Sequence, residues 1–130
     1  MEAALIPPCV RVLIADDHAL FAEALEAILA GDARIEVVGR ARDGAEAVAL
    51  TKRHDPDVVL MDLSMPVMDG IEATRRIRAG RDAPCVVVLT GSNAAADVDR
   101  ARQAGAAAYV TKDGIAAELV QAIIAAADCR

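Results

Sequence analysis

The chain has 130 residues, 55% of them hydrophobic, with one Phe, one Tyr and no Trp. That supplies aliphatic surface for a single core and excludes a disordered chain, whose apolar content could not offset the entropy of ordering. Its net charge of −6, from 20 acids and 14 bases, argues against direct nucleic-acid binding, which draws on a basic surplus.

Residues 1–9, MEAALIPPC, are set apart as an N-terminal extension. They carry no basic region, and Pro7 and Pro8 break their apolar stretch, so they do not read as a signal peptide. Val10–Ala15 (VRVLIA) is a β-branched run and reads as a strand. Asp16-Asp17 ends it and can cap the next element. Leu20, Phe21, Leu25, Ile28 and Leu29 then recur at helical spacing until Gly31. Ile35–Gly39 is a second strand. Asp43 followed by Glu46 is a capping box, opening a helix that Asp55-Pro56 breaks after His54. Val58–Met61 (VVLM) shows no alternation, so both faces of this third strand are expected to be buried.

Asp69 with Glu72 is a second capping pair, and a helix runs from Ile71 to Arg78, ending near Gly80. Cys85–Leu89 is a fourth continuous strand. Asn93–Ala104 reads as a polar-leaning helix closed by Gly105, and Ala107–Val110 as a short fifth strand. Ile115, Leu119, Ile123 and Ile124 stripe a last helix. No apolar run approaches the ~18 residues of a membrane span. Cys9, Cys85 and Cys129 are odd in number and widely spaced, and with His18 and His54 they make no zinc-ligand pattern. The expectation is no disulfide framework and a reducing cytoplasm, with Cys85 a small core hydrophobe.

Five β–α repeats imply a doubly wound α/β fold: a parallel sheet, right-handed crossovers and helices on both faces. Ligands in such folds sit beyond the carboxyl ends of the strands. With strand order 2-1-3-4-5, Asp16 and Asp17 after the first strand meet Asp62 after the third. Thr90 follows the fourth, and Thr111 and Lys112 the fifth. The second strand, which delivers only Gly39, Arg40 and Ala41, lies at the edge.

Three clustered carboxylates cannot all ionise comfortably, and a hard divalent cation such as Mg²⁺ resolves the repulsion. A carboxylate is also a competent nucleophile toward a phosphoryl group. Lys112 is a point cation able to reach the phosphoryl oxygens, and the Thr90 hydroxyl can donate to another. Phosphoryl transfer needs mostly positioning and electrostatics, and these groups supply both.

VRVLIADDHALF, PDVVLMDLSMPVMDGIEATRRIR, VVVLTGS and AAAYVTKDG, in this order and at these spacings, resemble the receiver domain of two-component response regulators. DDH and MDLSMPVMDG resemble its NarL/FixJ branch in particular. The resemblance covers nearly the whole chain, with a receiver domain at 10–127 and residues 128–130 as a C-terminal end. It implies a flavodoxin-like, CheY-like fold. It further implies Asp62 as phosphoacceptor, Asp17 as direct Mg²⁺ ligand, Asp16 as a second acid acting through water, and the Ser64 backbone carbonyl as the remaining protein ligand. Thr90 would be the switch hydroxyl, Lys112 the phosphate-binding lysine and Tyr109 the switch aromatic.

The implied partner is a histidine kinase or phosphotransfer protein in the cytoplasm. Phosphorylation-dependent homodimerisation is expected, and neither DNA nor membrane contact by this chain. The output is expected to be control of transcription through a further domain, with a stand-alone receiver as the alternative. Gly91 stands where the family more often has Ala, and Asp113 where many receivers have Pro. Ser64 and Ser92 occupy positions that tune phosphoryl lifetime, and both are small and polar.

Two other classes remain open. A Mg²⁺-dependent phosphatase working through an aspartyl-phosphate needs an acid two residues after the nucleophile, where this chain has Ser64. A degenerate receiver serving only as an interaction platform is disfavoured by the intact Asp16, Asp17, Asp62, Thr90 and Lys112. The expectation is therefore self-catalysed phosphorylation and dephosphorylation without an external metabolic product. His18 reads as a first-turn helix residue, His54 as solvated, and the Arg75, Arg76, Arg78 and Arg81 run as a solvated helix face.

Overall fold

Strand alternation decides which helices each face of the sheet must bury. The computed structural model describes residues 9–91 and 95–129. Its elements are β1 (Val10–Ala15), α1 (Ala19–Ala30), β2 (Ile35–Ala41), α2 (Gly44–His54), β3 (Val58–Asp62), α3 (Gly70–Arg78), β4 (Cys85–Thr90), α4 (Ala95–Ala104), β5 (Ala108–Thr111) and α5 (Ile115–Ala126). Single 3₁₀ turns at Lys112–Gly114 and Ala127–Cys129 flank α5. Most of the N-terminal extension, Ser92, the expected helix start at Asn93, and Arg130 lie outside the described residues.

The five strands are parallel in the order β2-β1-β3-β4-β5. Val12, Ile14, Val58, Leu60, Val87 and Leu89 point to one face and pack with Leu25 and Leu29 of α1 and Leu119 and Ile123 of α5. Leu13, Ala15, Val59, Met61, Val86 and Val88 point to the other, with Ala47 of α2, Ile71 and Ile77 of α3, and Ala101 and Ala104 of α4. Every residue of β3 and β4 is buried, as unbroken apolar runs require. Burying one Leu or Val on either face contributes about 1.5–3 kcal/mol.

Element ends differ from the sequence reading for local reasons. β2 runs two residues further, to Ala41, because Leu13–Ala15 go on pairing with Gly39–Ala41 beyond a bulge at Val38. Asp43 caps α2 by accepting the Glu46 amide at 2.8 Å, and Asp69 caps α3 by accepting that of Glu72 at 2.9 Å. In α2 the reciprocal bond goes one residue too far: Glu46 accepts from the Arg42 amide at 2.7 Å instead of that of Asp43. Asp55 takes a left-handed cap at φ 48°, and Pro56 prevents continuation.

Four side chains depart from expectation. Leu20 sits on the α1 stripe by spacing but is 82% exposed, in the first turn ahead of the buried Ala22, Leu25 and Leu29. His54 is half-buried, its ring within reach of a Cβ built at Gly39. Arg78 is not solvated: it donates to the Pro84 carbonyl at 2.9 Å and bridges the α3–β4 loop. Cys85 is disulfide-bonded, while Cys9 is a free thiol. The other cysteine side chain of that bond lies outside those described. Wide spacing in sequence misled here, because separation along the chain does not set separation in the fold. The cysteine argument for a reducing compartment therefore falls.

Candidate functional site

β1 and β3 are hydrogen-bonded neighbours, so Asp16 and Asp17, which follow β1, meet Asp62 at the end of β3. Asp16 and Asp62 are buried, 2% and 3% exposed, whereas Asp17 and His18 are open to solvent. One ligand atom from each of Asp16, Asp17, His18 and Asp62 falls within a common 4.8 Å. Lys112, just past β5, reaches across the carboxyl edge and lies 3.3 Å from both Asp16 Oδ2 and Asp62 Oδ1. Asp62 Oδ2 is buried without a hydrogen-bond partner. Burial raises the Asp62 carboxyl above its ordinary 3.8, the Asp16 charge raises it further, and Lys112 opposes both.

Asp16 does not cap α1. Its Oδ1 accepts the His18 amide at 2.8 Å, one residue ahead of the helix, and His18 itself stands at the N-cap without a side-chain cap. His18 Nδ1 lies 3.3 Å from Asp16 Oδ1 and 3.2 Å from Asp17 Oδ1. The sequence reading placed it in the first turn and outside the site; in the structure it borders the carboxylates.

The β3–α3 loop is tied down at both ends. Gly70 N–H donates to the Leu63 carbonyl at 3.0 Å, and a Cβ on Gly70 would fall 2.1 Å from the Asp62 carbonyl oxygen. Gly44 N–H donates to the Met68 carbonyl at 3.0 Å, where a Cβ would meet the same kind of collision. Both glycines are needed for close approach. Neither was singled out in the sequence reading, although each follows a capping Asp in the pattern Asp-Gly.

Thr90 ends β4, buried, beside Thr111 of β5 and one position past Leu89, the partner of Asp62. With Ser64, Met65, Asp69, Gly91 and Arg100 it lines a cavity of about 460 Å³ between the β3–α3 loop and α4. Ser64 is exposed at its mouth. Tyr109 is half-buried against the core on the α2, α3 and α4 side, near Ala101 and Val98. The structure thus brings together Asp16, Asp17, Asp62 and Lys112. It sets Thr90 and Ser64 on one adjoining cavity and Tyr109 one strand further out.

The donor set fits a hard divalent cation. Three carboxylates face one lysine, and a buried Asp62 oxygen lacks a partner. Oxygen ligands with room for retained water suit Mg²⁺.

A five-stranded parallel sheet in this order, with an acidic cluster and a lysine across its carboxyl edge, defines the receiver class of signalling domain. The response regulator receiver family model matches residues 12–124, and the chain belongs to that family. It is 47% identical over 113 residues to the transcriptional regulatory protein PdtaR of Mycobacterium tuberculosis, covering 87% of this chain and 54% of that protein. It is 44% identical over 117 residues to LiaR of Bacillus subtilis, covering 90% of this chain and 56% of that protein. The receiver domain of NarL from Mycobacterium tuberculosis superposes with a TM-score of 0.89 at 39% identity, over 95% of this chain and all of that one. LiaR and NarL place the chain on the NarL-like side of the family. The chain spans about half the length of these curated relatives. No helix among the described residues is long and apolar enough to cross a membrane.

Proposed function

We propose that this receiver takes a phosphoryl group on Asp62 from a histidine kinase or phosphotransfer protein, and that the domain so acting spans residues 10–127, between the 1–9 extension and the 128–130 end. The observation that carries the reading is the unpartnered buried oxygen of Asp62, set between further carboxylates and Lys112. Asp17, Asp62 and the Ser64 carbonyl would hold Mg²⁺, with Asp16 as the second acid acting through water. Bound there, the ion would neutralise and orient the phosphoryl oxygens.

An Asp62 carboxylate oxygen attacks phosphorus, and the bond from phosphorus to the donor's imidazole nitrogen breaks with its electron pair going to the ring. Lys112 holds one phosphoryl oxygen and the Thr90 hydroxyl donates to another. Water later attacks phosphorus, the bond to Asp62 breaks and the carboxylate returns. Small Ser64 beside the site leaves water its approach. The protein catalyses its own phosphorylation and dephosphorylation and releases no other product.

Phosphate contacts at Thr90 bias a two-state element that Tyr109 follows, remodelling the face of α4, β5 and α5. That change, passed to a further domain or to a phosphorylation-dependent homodimer formed through the α4–β5 face or through α1 and α5, would control transcription, as the names of the relatives support. With its charge of −6 the chain itself would not bind DNA. The site of action would be the cytoplasm, where its phosphodonors work.

The test is phosphorylation by acetyl phosphate, read on a phosphate-retarding gel, with wild type and Asp62→Asn, each with and without Mg²⁺. The expected result is a Mg²⁺-dependent retarded band absent from Asp62→Asn. No band under any condition overturns the reading and leaves an interaction platform; a band retained by Asp62→Asn means another residue is the acceptor.

A further inference from the structure

The one Phe of the sequence, Phe21, lies in the first turn of α1, partly buried against the core that α1 shares with α5. Its ring is not simply part of the core stripe. The Lys112 ammonium sits 4.4 Å from the Phe21 ring centroid, well inside the ~6 Å over which a cation is drawn to the face of an aromatic ring. The same nitrogen is 3.3 Å from Asp16 Oδ2 and 3.3 Å from Asp62 Oδ1. Its side chain is 22% exposed, so it is largely withdrawn from water. Three neighbours therefore fix this ammonium, and two of them are carboxylates of the site itself.

We propose that Phe21 is a positioning residue for Lys112, holding the ammonium over the phosphoacceptor through the face of its ring. The proposal rests on the reading of Asp62 as phosphoacceptor. Its logic comes from what happens to the other two contacts. Both carboxylates carry charge that a bound cation and an incoming phosphoryl group will claim. The ring face keeps its quadrupole whatever the carboxylates do. Lysine is a flexible four-carbon stem ending in a strongly hydrated point charge. Once its carboxylate partners are engaged elsewhere, the ring is the contact that keeps the ammonium from swinging into solvent. An aliphatic side chain of similar volume would fill the space but offer no such attraction.

Beryllofluoride, a non-transferable mimic of the phosphoryl group, separates this role from packing when its affinity is measured in saturating Mg²⁺. Wild type, Phe21→Tyr, Phe21→Leu, Phe21→Met, Lys112→Met and the double variant Phe21→Leu/Lys112→Met are compared, with thermal unfolding as the control for folding. Phe21→Tyr is expected within about two-fold of wild type. Phe21→Leu and Phe21→Met are expected to weaken affinity roughly three- to ten-fold, the range of a partly desolvated cation–π contact. In the Lys112→Met background, Phe21→Leu is expected to add nothing.

Equal affinities for the Tyr, Leu and Met variants overturn the proposal, as does a Leu effect that persists without Lys112. Should Phe21→Leu fold poorly, Phe21→Met carries the comparison. If wild type binds no beryllofluoride, the phosphoacceptor reading has failed and this proposal falls with it, an outcome distinct from wild-type binding that is indifferent to the ring.

Discussion

Val67 holds φ at 70° with a side chain 84% exposed. The Met68 amide donates back to the Pro66 carbonyl at 2.7 Å, so Val67 is the centre of a three-residue turn of the rare positive-φ form. A β-branched residue there is strained by about 1–3 kcal/mol. The turn persists because its neighbours are fixed: Met68 is bonded to Gly44, and Gly70 to Leu63. Val67→Gly removes the clash but adds disorder to the unfolded chain. The expected net is a gain of about 1 kcal/mol, read as a higher urea midpoint at unchanged slope; an unchanged or lower midpoint would show that the strain relieved is no larger than the disorder that Gly adds to the unfolded chain.

At this same scale the sequence gives residue types but not their neighbours. Asp62 and Lys112 were legible because one ends a recognisable strand and the other directly follows one. Phe21 was legible only as a core position, since helical spacing says which face a residue occupies and nothing of what crosses the end of that face. His18 was assigned to a helix turn because its approach to Asp17 depends on where the helix begins.

At the scale of elements, the apolar pattern dictated the architecture well. Strands β3 and β4 read as continuous runs and are buried throughout. Both capping Asp side chains accept the amide of the Glu three residues on, as the Asp-x-x-Glu spacing requires, although Glu46 returns its bond to Arg42. Boundaries moved where pairing between strands decides them, as at the bulged end of β2, and pairing is absent from any local window. The α2 cap does more than begin a helix, because it presents the Gly44 amide to the Met68 carbonyl and so anchors the β3–α3 loop. Asp43→Ala should cost about 1 kcal/mol, seen as a lowered thermal midpoint. It should also increase amide exchange at Gly44 more than at Gly70, whose own cap is Asp69. Equal effects at both glycines would mean that the two anchors are not independent.

For the molecule as a whole, the concentration of charge at one edge of the sheet should couple stability to pH and to divalent cations. Asp62 has its carboxyl raised above 3.8, chiefly by burial and then by Asp16. The folded state therefore binds a proton more tightly at this position than the unfolded chain does. Stability contributed by Asp62 is then greatest at acid pH and falls as pH rises from 3.8 through the higher folded value. Asp32 and Glu72 act in the opposite sense: their Arg partners lower their carboxyls, so they gain stability as pH rises through their own windows. The whole-protein profile mixes these signs, and a difference between variants isolates one.

Asp62→Asn removes the ionisation without removing the side chain. It should be more stable than wild type at neutral pH, with the gap closing as pH falls toward and below 3.8. Saturating Mg²⁺ should also narrow the gap at neutral pH, by binding the folded wild-type carboxylates and raising its unfolding midpoint. Thermal unfolding from pH 3 to 8, with and without Mg²⁺, reads both effects. A gap that is constant across pH would place the cost of Asp62 in its shape and not its charge. A midpoint that ignores Mg²⁺ in wild type would mean that Lys112 alone neutralises the cluster.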